Sequence, residues 1–352
     1  MTIDARIKPF IQLGTFLRDF IKGTKENELQ QKFGDDLAEL IARIHIQNPW
    51  FTEENVKNAL AAIGGSLKEE QFVEWISVYI RELSRQAPKR VAVIMAGNIP
   101  MVGFHDMLCV LLSGNKFVGK LSSDDKLLLP FITKILIDIE PRYAGYIEFT
   151  DGQIRDMDAV IATGSNNSAR YFDHYFGKYP NIIRRNRNSV AVLNGKEEKE
   201  ELAALGNDVF QYFGLGCRNV SKLFVPKGYS FNDFFESIYD RSEIVNNNKY
   251  ANNYDYNKTV YLMSGDQSLL DNNFLLLKHD NSYASPIGTL FYEYYNSIAE
   301  LNSKLEKEKE QIQCIVSNDP GVKNAIPLGT AQCPGLSDYA DGVDTMKFLT
   351  GL

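Results

Sequence analysis

The first 85 or so residues carry apolar side chains at steps of three and four. The stretches "FIQLGTFLRDFI" and "QFVEWISVYIREL" show this most clearly, and the spacing predicts amphipathic helices. Ser66 and Glu69 read as an S-x-x-E capping box that opens the second of them. Phe72, Trp75 and Tyr79 fall on one helical face and are assigned to the core.

At residue 90 the period changes. "RVAVIMAGNIP" is a short, continuous, β-branched run closed by Gly-Asn-Ile-Pro. A helix is expected over 101–112, a strand in "KFVGK", and a helix in "KLLLPFITKILIDI". "GYIEFT", "DAVIATGS" and a helix over 167–176 follow. Strands alternating with helices across short turns predict a parallel sheet flanked by helices. Ligands of such sheets sit outside the carboxyl ends of the strands, here Gly97-Asn98, Lys120 to Ser123, and Thr163-Gly164-Ser165. A second alternating region runs from Ser189 to about Ile315, with strands expected in "SVAVL", "KLFVP", "KTVYLM", "GTLFYEYY" and "QCIVS". The polar, asparagine-rich segment 246–258 is expected to be a surface loop, and "TMKFLTGL" to end the chain as a short strand-like piece.

Composition narrows the function classes. Of 352 residues, 44% are hydrophobic and 24% charged, with a net charge of −7. That is ordinary globular composition for a chain long enough to form two domains. Without a basic block, nucleic acid and anionic membrane are not expected partners. No run of roughly 18 apolar residues is present to span a membrane. "MTIDARIKPF" has neither the basic nor the apolar region of a signal peptide, so a cytoplasmic location is the expectation. Cys109, Cys217, Cys314 and Cys333 are far apart, and the four histidines are scattered. Neither a disulfide framework nor a metal site is indicated.

The candidate chemistry lies in an order of features. There is no G-x-G-x-x-G, P-loop or G-x-S-x-G. Instead one strand ends near Asn98, another at Lys120, another at Thr-Gly-Ser, and Cys217 follows in the glycine-punctuated turn "FGLGCRNVSKLFVP". A carboxamide and a cysteine backbone N–H are the donors that acyl transfer needs for its oxyanion. A strand-end lysine can meet a cofactor ribose or phosphate. Taken alone, the same residues also fit a buried thiol, a helix cap at Asn98 and a solvated charge at Lys120. Cys109, inside the apolar "MLCVLL", is assigned to the core, and Cys333 is the second candidate nucleophile. His105, His174 and His279 are read as structural.

In that order of segments the chain resembles the aldehyde dehydrogenase superfamily, and within it the LuxC-type acyl-CoA reductases. "AGNIP" resembles the segment whose asparagine supplies half of the oxyanion hole, which implies that role for Asn98. "NKFVGKLSSDD" resembles the strand whose lysine meets the adenosine ribose, implying Lys120. "DAVIATGSNNSAR" resembles the turn beside the cofactor pyrophosphate, implying Gly164 and Ser165. "FGLGCRNVSKLFVP" resembles the catalytic-cysteine segment in its LuxC-type form, implying Cys217. The resemblance covers nearly the whole chain. It implies an α/β aldehyde dehydrogenase-like fold: a helical N-terminal region (1–88), an NADP(H)-binding domain (89–183), a cysteine domain (184–325) and a tail (326–352). The tail would return to the cofactor domain or to an oligomer interface.

Three departures from that pattern sharpen the expected activity. Where the superfamily has "LELGG", with the glutamate that activates hydrolytic water, this chain has "IIRRNRNSVAVL", with Arg184 and Arg185 near that position. These two, with Arg187, are candidates for contact with cofactor or coenzyme A phosphates. "SYASPIG" stands where an "E-x-F-G-P" glutamate usually meets the cofactor ribose. Ser123 stands where NAD-preferring members often carry an acid. A serine can bond a 2′-phosphate that a carboxylate would repel, which favours NADPH over NADH, with Asp124 and Asp125 just beyond. The resemblance thus implies NADPH-dependent reduction of an acyl-CoA or acyl-protein thioester to an aldehyde through an acyl-Cys217 enzyme. An acyl-phosphate reductase of the glutamyl phosphate type and a non-redox cysteine acyltransferase or thioesterase remain alternatives. A homo-oligomer, expected to be a dimer, is also implied, with "TMKFLTGL" as a remnant of the strand that members add to a partner's sheet.

Overall fold

The structure, a computed structural model, describes residues 1–83, 87–266 and 268–352. It divides into two compact units, Met1–Arg185 with Pro334–Leu352, and Asn186–Cys333. A mixed α/β chain with parallel sheets and a helical N-terminus is what the sequence pattern predicted.

The first unit begins with four helices: α1 (Ile3–Lys22), α2 (Glu28–Ile44), α3 (Glu53–Ser66) and α4 (Glu69–Ser77). The first three are started by Thr2, Asn27 and Thr52, whose side chains accept from backbone N–H groups of the first turn. The residues expected in the core are there, with Phe72 1%, Trp75 4% and Tyr79 8% exposed. The Ser66–Glu69 capping box is not formed. Ser66 is the last residue of α3, and its hydroxyl donates back to the Ile63 carbonyl at 2.9 Å. Bonded to its own turn, that hydroxyl cannot cap the next helix, and α4 starts after Lys68 with no side-chain cap.

Five parallel strands follow: β1 (Arg90–Ile94), β2 (Lys116–Lys120), β3 (Ile147–Phe149), β4 (Ala159–Thr163) and β5 (Asn181–Arg184), in the order β3-β2-β1-β4-β5. Helices α5 (Phe104–Leu112), α6 (Leu128–Ile139) and α7 (Asn166–Phe176) connect them. Val91, Ala92 and Val93 are each at most 1% exposed, because a central parallel strand is covered on both faces. The strand order turns back between β1 and β4, which makes their carboxyl ends the switch point where such sheets take ligands.

In the second unit β6 (Asn188–Val192), α8 (Lys199–Phe210), β7 (Val220–Pro226), α9 (Asn232–Ser237) and α10 (Asn248–Met263) come first. They are followed by β8 (Leu270–Asp271), β9 (Leu276–His279), β10 (Thr289–Tyr295), α11 (Ile298–Lys307), β11 (Ile312–Val316) and β12 (Ala325–Ile326). The seven strands run in the order β12-β11-β6-β7-β10-β9-β8, parallel except for β8 against β9. The segment 246–258, expected as a loop, forms most of α10, and "KTVYLM", expected as a strand, completes that helix. Asn247 caps it, accepting from Lys249 and Tyr250 N–H, while Tyr250, Tyr254 and Asn257 form its buried stripe. Asparagine at the cap and tyrosine at four-residue spacing outweigh the polar composition.

The tail returns to the first unit as helix α12 (Thr345–Thr350), not as a strand. Asp344 caps it by accepting from Lys347 N–H at 2.8 Å, and Met346 and Leu349 are fully buried. "TMKFLTGL" is therefore packed in its own chain's core and is no remnant strand for a partner's sheet. Upstream, Tyr339 accepts from Trp75 Nε1 at 2.7 Å, and Asp344 accepts from the Tyr79 hydroxyl at 2.8 Å.

Candidate functional site

The first unit gathers five of the expected site residues at the carboxyl end of its sheet. Lys120 ends β2, half-buried, with Nζ donating to the Gly152 carbonyl at 3.3 Å. Ser123 and Asn98 are exposed on the loops that leave β2 and β1. Those loops are locked together. Met95 N–H donates to Lys120 O at 3.1 Å, and a Cβ on Gly97 would lie only 2.6 Å from Ser122 Oγ. Asp125 is buried and its Oδ2 accepts from Met101 N–H at 2.9 Å, pinning Met101 in a left-handed conformation (φ 65°). Burial pushes the Asp125 carboxyl up to about 6, against the lowering effect of its backbone N–H bonds. Asp125 faces inward, whereas Asp124 is exposed beside Ser123. The helix expected to start at Met101 starts at Phe104, so Asn98 does not cap it.

Across the switch point, Ser165 caps α7, accepting from Ser168 N–H at 3.2 Å. A Cβ on Gly164 would meet Ser168 and Phe172 at 2.9 Å. The bare glycine lets backbone and helix N-terminus present N–H groups at one place, an arrangement suited to phosphate.

The two arginines considered for phosphate contact have different fates. Arg185 is exposed and bonded to Asp173 at 2.9 Å. Arg184 is buried, and its guanidinium grips Asp106 of α5 at 2.5 and 2.8 Å, with a further bond to Thr345 Oγ1 at 3.2 Å. Burial works against its charge, but Asp106 outweighs it and the pKa is raised. The Arg184 fork is thus committed inside the protein and is not a phosphate contact. Asp106 was missed by sequence reasoning. A lone carboxylate within the apolar "FHDMLCVLL" was the available signal, because buried carboxylates are almost always paired.

Cys217 lies in the second unit, in the turn between α8 and β7, and is exposed. The chain reaches it through three successive left-handed residues, Tyr212 (φ 54°), Phe213 (φ 57°) and Gly214 (φ 76°). Left-handed backbone at two aromatic residues costs on the order of 1–2 kcal/mol each, strain that persists only where the surroundings enforce it. On either side of that stretch the chain is bonded to Asn219, 2% exposed. Its Nδ2 donates to the carbonyls of Asp208, Val209 and Gln211 at the end of α8, at 3.0, 3.4 and 2.8 Å. Its Oδ1 accepts from Gly216 N–H at 2.8 Å, and its own N–H donates to Gly216 O at 3.0 Å. On the next strand, Ser189 Oγ donates to Cys217 O at 2.9 Å and accepts from Cys314 N–H at 3.2 Å.

The neighbouring polar groups complete this turn. Arg218 Nε donates to Ala331 O, and buried Asp208 accepts from Gly329 and Ala331 N–H at 2.6 and 2.9 Å. Burial and the Asp208 charge push the Cys333 thiol up, with Arg218 opposing, so its surroundings disfavour the thiolate that a nucleophile needs. Cys109 is fully buried, as expected for a core thiol, and His105 is bonded to Leu336 O at 2.9 Å.

The fold has relatives among known proteins. The acyl-CoA reductase (LuxC) family matches residues 50–236. Among solved structures, the chain is similar to aldehyde dehydrogenase 21 from Physcomitrella patens, in complex with the reaction product succinate, with a TM-score of 0.63 and 13% identity, covering 99% of this chain and 87% of the other. It is similar to an aldehyde dehydrogenase from Bacillus cereus in its NAD+ complex (TM-score 0.58, 13% identity, 91% and 73% covered). A third likeness is to an NADP-dependent enzyme from E. coli (TM-score 0.56, 15% identity, 90% and 77% covered). At such identities the likeness is one of fold. No curated protein matches the sequence.

Proposed function

Because the chain belongs to the LuxC acyl-CoA reductase family, we propose that it reduces an acyl-CoA or acyl-protein thioester to an aldehyde with NADPH, using Cys217 as the acyl carrier. The observation that carries this reading is exposed Cys217 in a turn whose flanking carbonyls, Gly216 O and Cys217 O, both accept hydrogen bonds, from Asn219 N–H and Ser189 Oγ. The Cys217 thiolate attacks the thioester carbonyl carbon, a new C–S bond forms, and charge collects on the carbonyl oxygen. The Cys217 N–H and the Asn98 carboxamide are the donors proposed for that oxyanion. When it collapses, the old C–S bond breaks with its electron pair on the leaving sulfur, which departs as a thiolate and takes its proton from water. The acyl group stays on Cys217.

The cofactor reading rests on the sheet end. Lys120 and Ser123 would hold the adenosine ribose and its 2′-phosphate, and Gly164 and Ser165 the pyrophosphate at the start of α7. Exposed Arg185 remains a candidate for a phosphate of cofactor or coenzyme A. The nicotinamide, when bound, supplies the hydride that takes the acyl group to the aldehyde level. Return of the sulfur electrons to Cys217 then frees the aldehyde and restores the thiolate.

The test is a series of acyl-CoAs with NADPH or NADH, followed by loss of reduced-cofactor absorbance, for wild type and Cys217→Ala. Turnover by wild type and none by Cys217→Ala is expected, with the acyl group found on Cys217 by mass spectrometry. Activity retained by Cys217→Ala overturns the reading. Turnover of an acyl phosphate but of no acyl-CoA would replace the substrate class. Release of coenzyme A without oxidation of NADPH would remove the redox step.

A further inference from the structure

We propose that Asn219 is a positioning residue for the acylation step: it aims the Cys217 N–H without touching substrate. The inference rests on the proposed acyl-Cys217 chemistry. Asn219 holds both sides of Gly216, accepting from its N–H and donating to its carbonyl through the backbone. The Gly216 carbonyl and the Cys217 N–H belong to one peptide plane and point in opposite directions across it. Fixing the carbonyl toward Asn219 therefore fixes the Cys217 N–H away from it. The next plane is set separately, because Ser189 Oγ holds Cys217 O. The two planes that bracket Cys217 are thus clamped by residues 219 and 189.

The same amide anchors the turn to α8. The last carbonyls of a helix have no partner within it, and three near the end of α8 share the two protons of Asn219 Nδ2. The clamp therefore ties the turn to a helix end and to a central strand. An aspartate could still accept from Gly216 N–H, but it would set a negative oxygen against those carbonyls. The carboxamide is the one group of this size that serves both sides.

A misaimed oxyanion donor slows formation of a tetrahedral intermediate but not direct displacement at the thiol. Single-turnover acylation of Cys217 by an acyl-CoA, measured as coenzyme A release, is compared with alkylation of the same thiol by iodoacetamide. Circular dichroism checks the fold of each variant. For Asn219→Ala we expect acylation to fall about 100-fold, the scale of losing one oxyanion donor, with substrate KM and the alkylation rate little changed. For Ser189→Ala the expected fall is about tenfold, with the same split. Acylation at the wild-type rate in folded Asn219→Ala, or acylation and alkylation falling together, overturns the proposal. If Asn219→Ala does not fold, Ser189→Ala decides, and an unchanged acylation rate there refutes the clamp. A p-nitrophenyl ester separates the two claims. Wild type acylated by the ester but not by acyl-CoA refutes the thioester reading alone, and the clamp is then judged on the ester by the same criteria.

Discussion

The Arg184–Asp106 pair makes a quantitative prediction that separates a structural arginine from a ligand-binding one. The two side chains are 7% and 5% exposed and joined by bonds of 2.5 and 2.8 Å. Replacing Asp106 with Asn leaves a guanidinium buried without its counter-charge, and replacing Arg184 with Met strands the carboxylate. Breaking one side of such a pair costs about 3–5 kcal/mol, whereas replacing both sides by apolar residues is often neutral. In a unit of about 200 residues each kcal/mol moves the melting temperature by about 2–4 °C. Either single variant should therefore melt about 10 °C lower, and Asp106→Leu with Arg184→Met should recover most of the loss. Thermal unfolding followed by circular dichroism measures this, alongside fluorescence titration with NADPH. The structural role is refuted if Arg184→Met keeps its melting temperature while its affinity for NADPH or coenzyme A loosens. That pattern would mean the guanidinium works for a ligand.

Two further outcomes test the cofactor end of the first unit. Ser123→Glu places a carboxylate where the 2′-phosphate is proposed to lie, and should shift the NADPH-to-NADH ratio of kcat/KM toward NADH by tenfold or more, since opposed like charges cost several kcal/mol; an unchanged ratio would place the phosphate elsewhere. The folded pKa of Asp125 is raised, from 3.8 to about 6, so the fold favours its protonated form and its contribution to stability is lost as pH rises from about 4 through 6. At about 1.4 kcal/mol for each pH unit between those two values, the loss comes to about 3 kcal/mol. Asp125→Asn, which keeps an acceptor for Met101 N–H, should flatten that part of the denaturation-versus-pH curve, and an unaltered slope would show that another group titrates there.

Much of the backbone that carries the candidate site was legible because its signals are local. The β1 run, the glycines at 97 and 164, and the Gly-Cys turn each encode a backbone need within a few residues. Their order along the chain supplied the rest. Segment 246–258 shows how composition can mislead. Its asparagines read as loop, yet one of them, Asn247, is the cap that starts α10. Ser66 shows the limit of a motif, since the same four letters serve a helix start only if the preceding helix has already stopped.

By itself, the sequence determined the strand-and-helix alternation and the parallel sheet, which follow from side-chain periodicity and turn chemistry over short stretches. Cys217 became the candidate nucleophile only through the resemblance of its segment, and of the order of segments before it, to a known family. Only the tertiary structure decided what Arg184 does, where the tail packs, and what holds the cysteine turn. Arg184 and Asp106 lie 78 residues apart, and Ser189 reaches the Cys217 carbonyl from 28 residues away. A charge or an amide is the same letter whether it faces water or a partner, and its partner is fixed only when the strands and helices that carry both are packed.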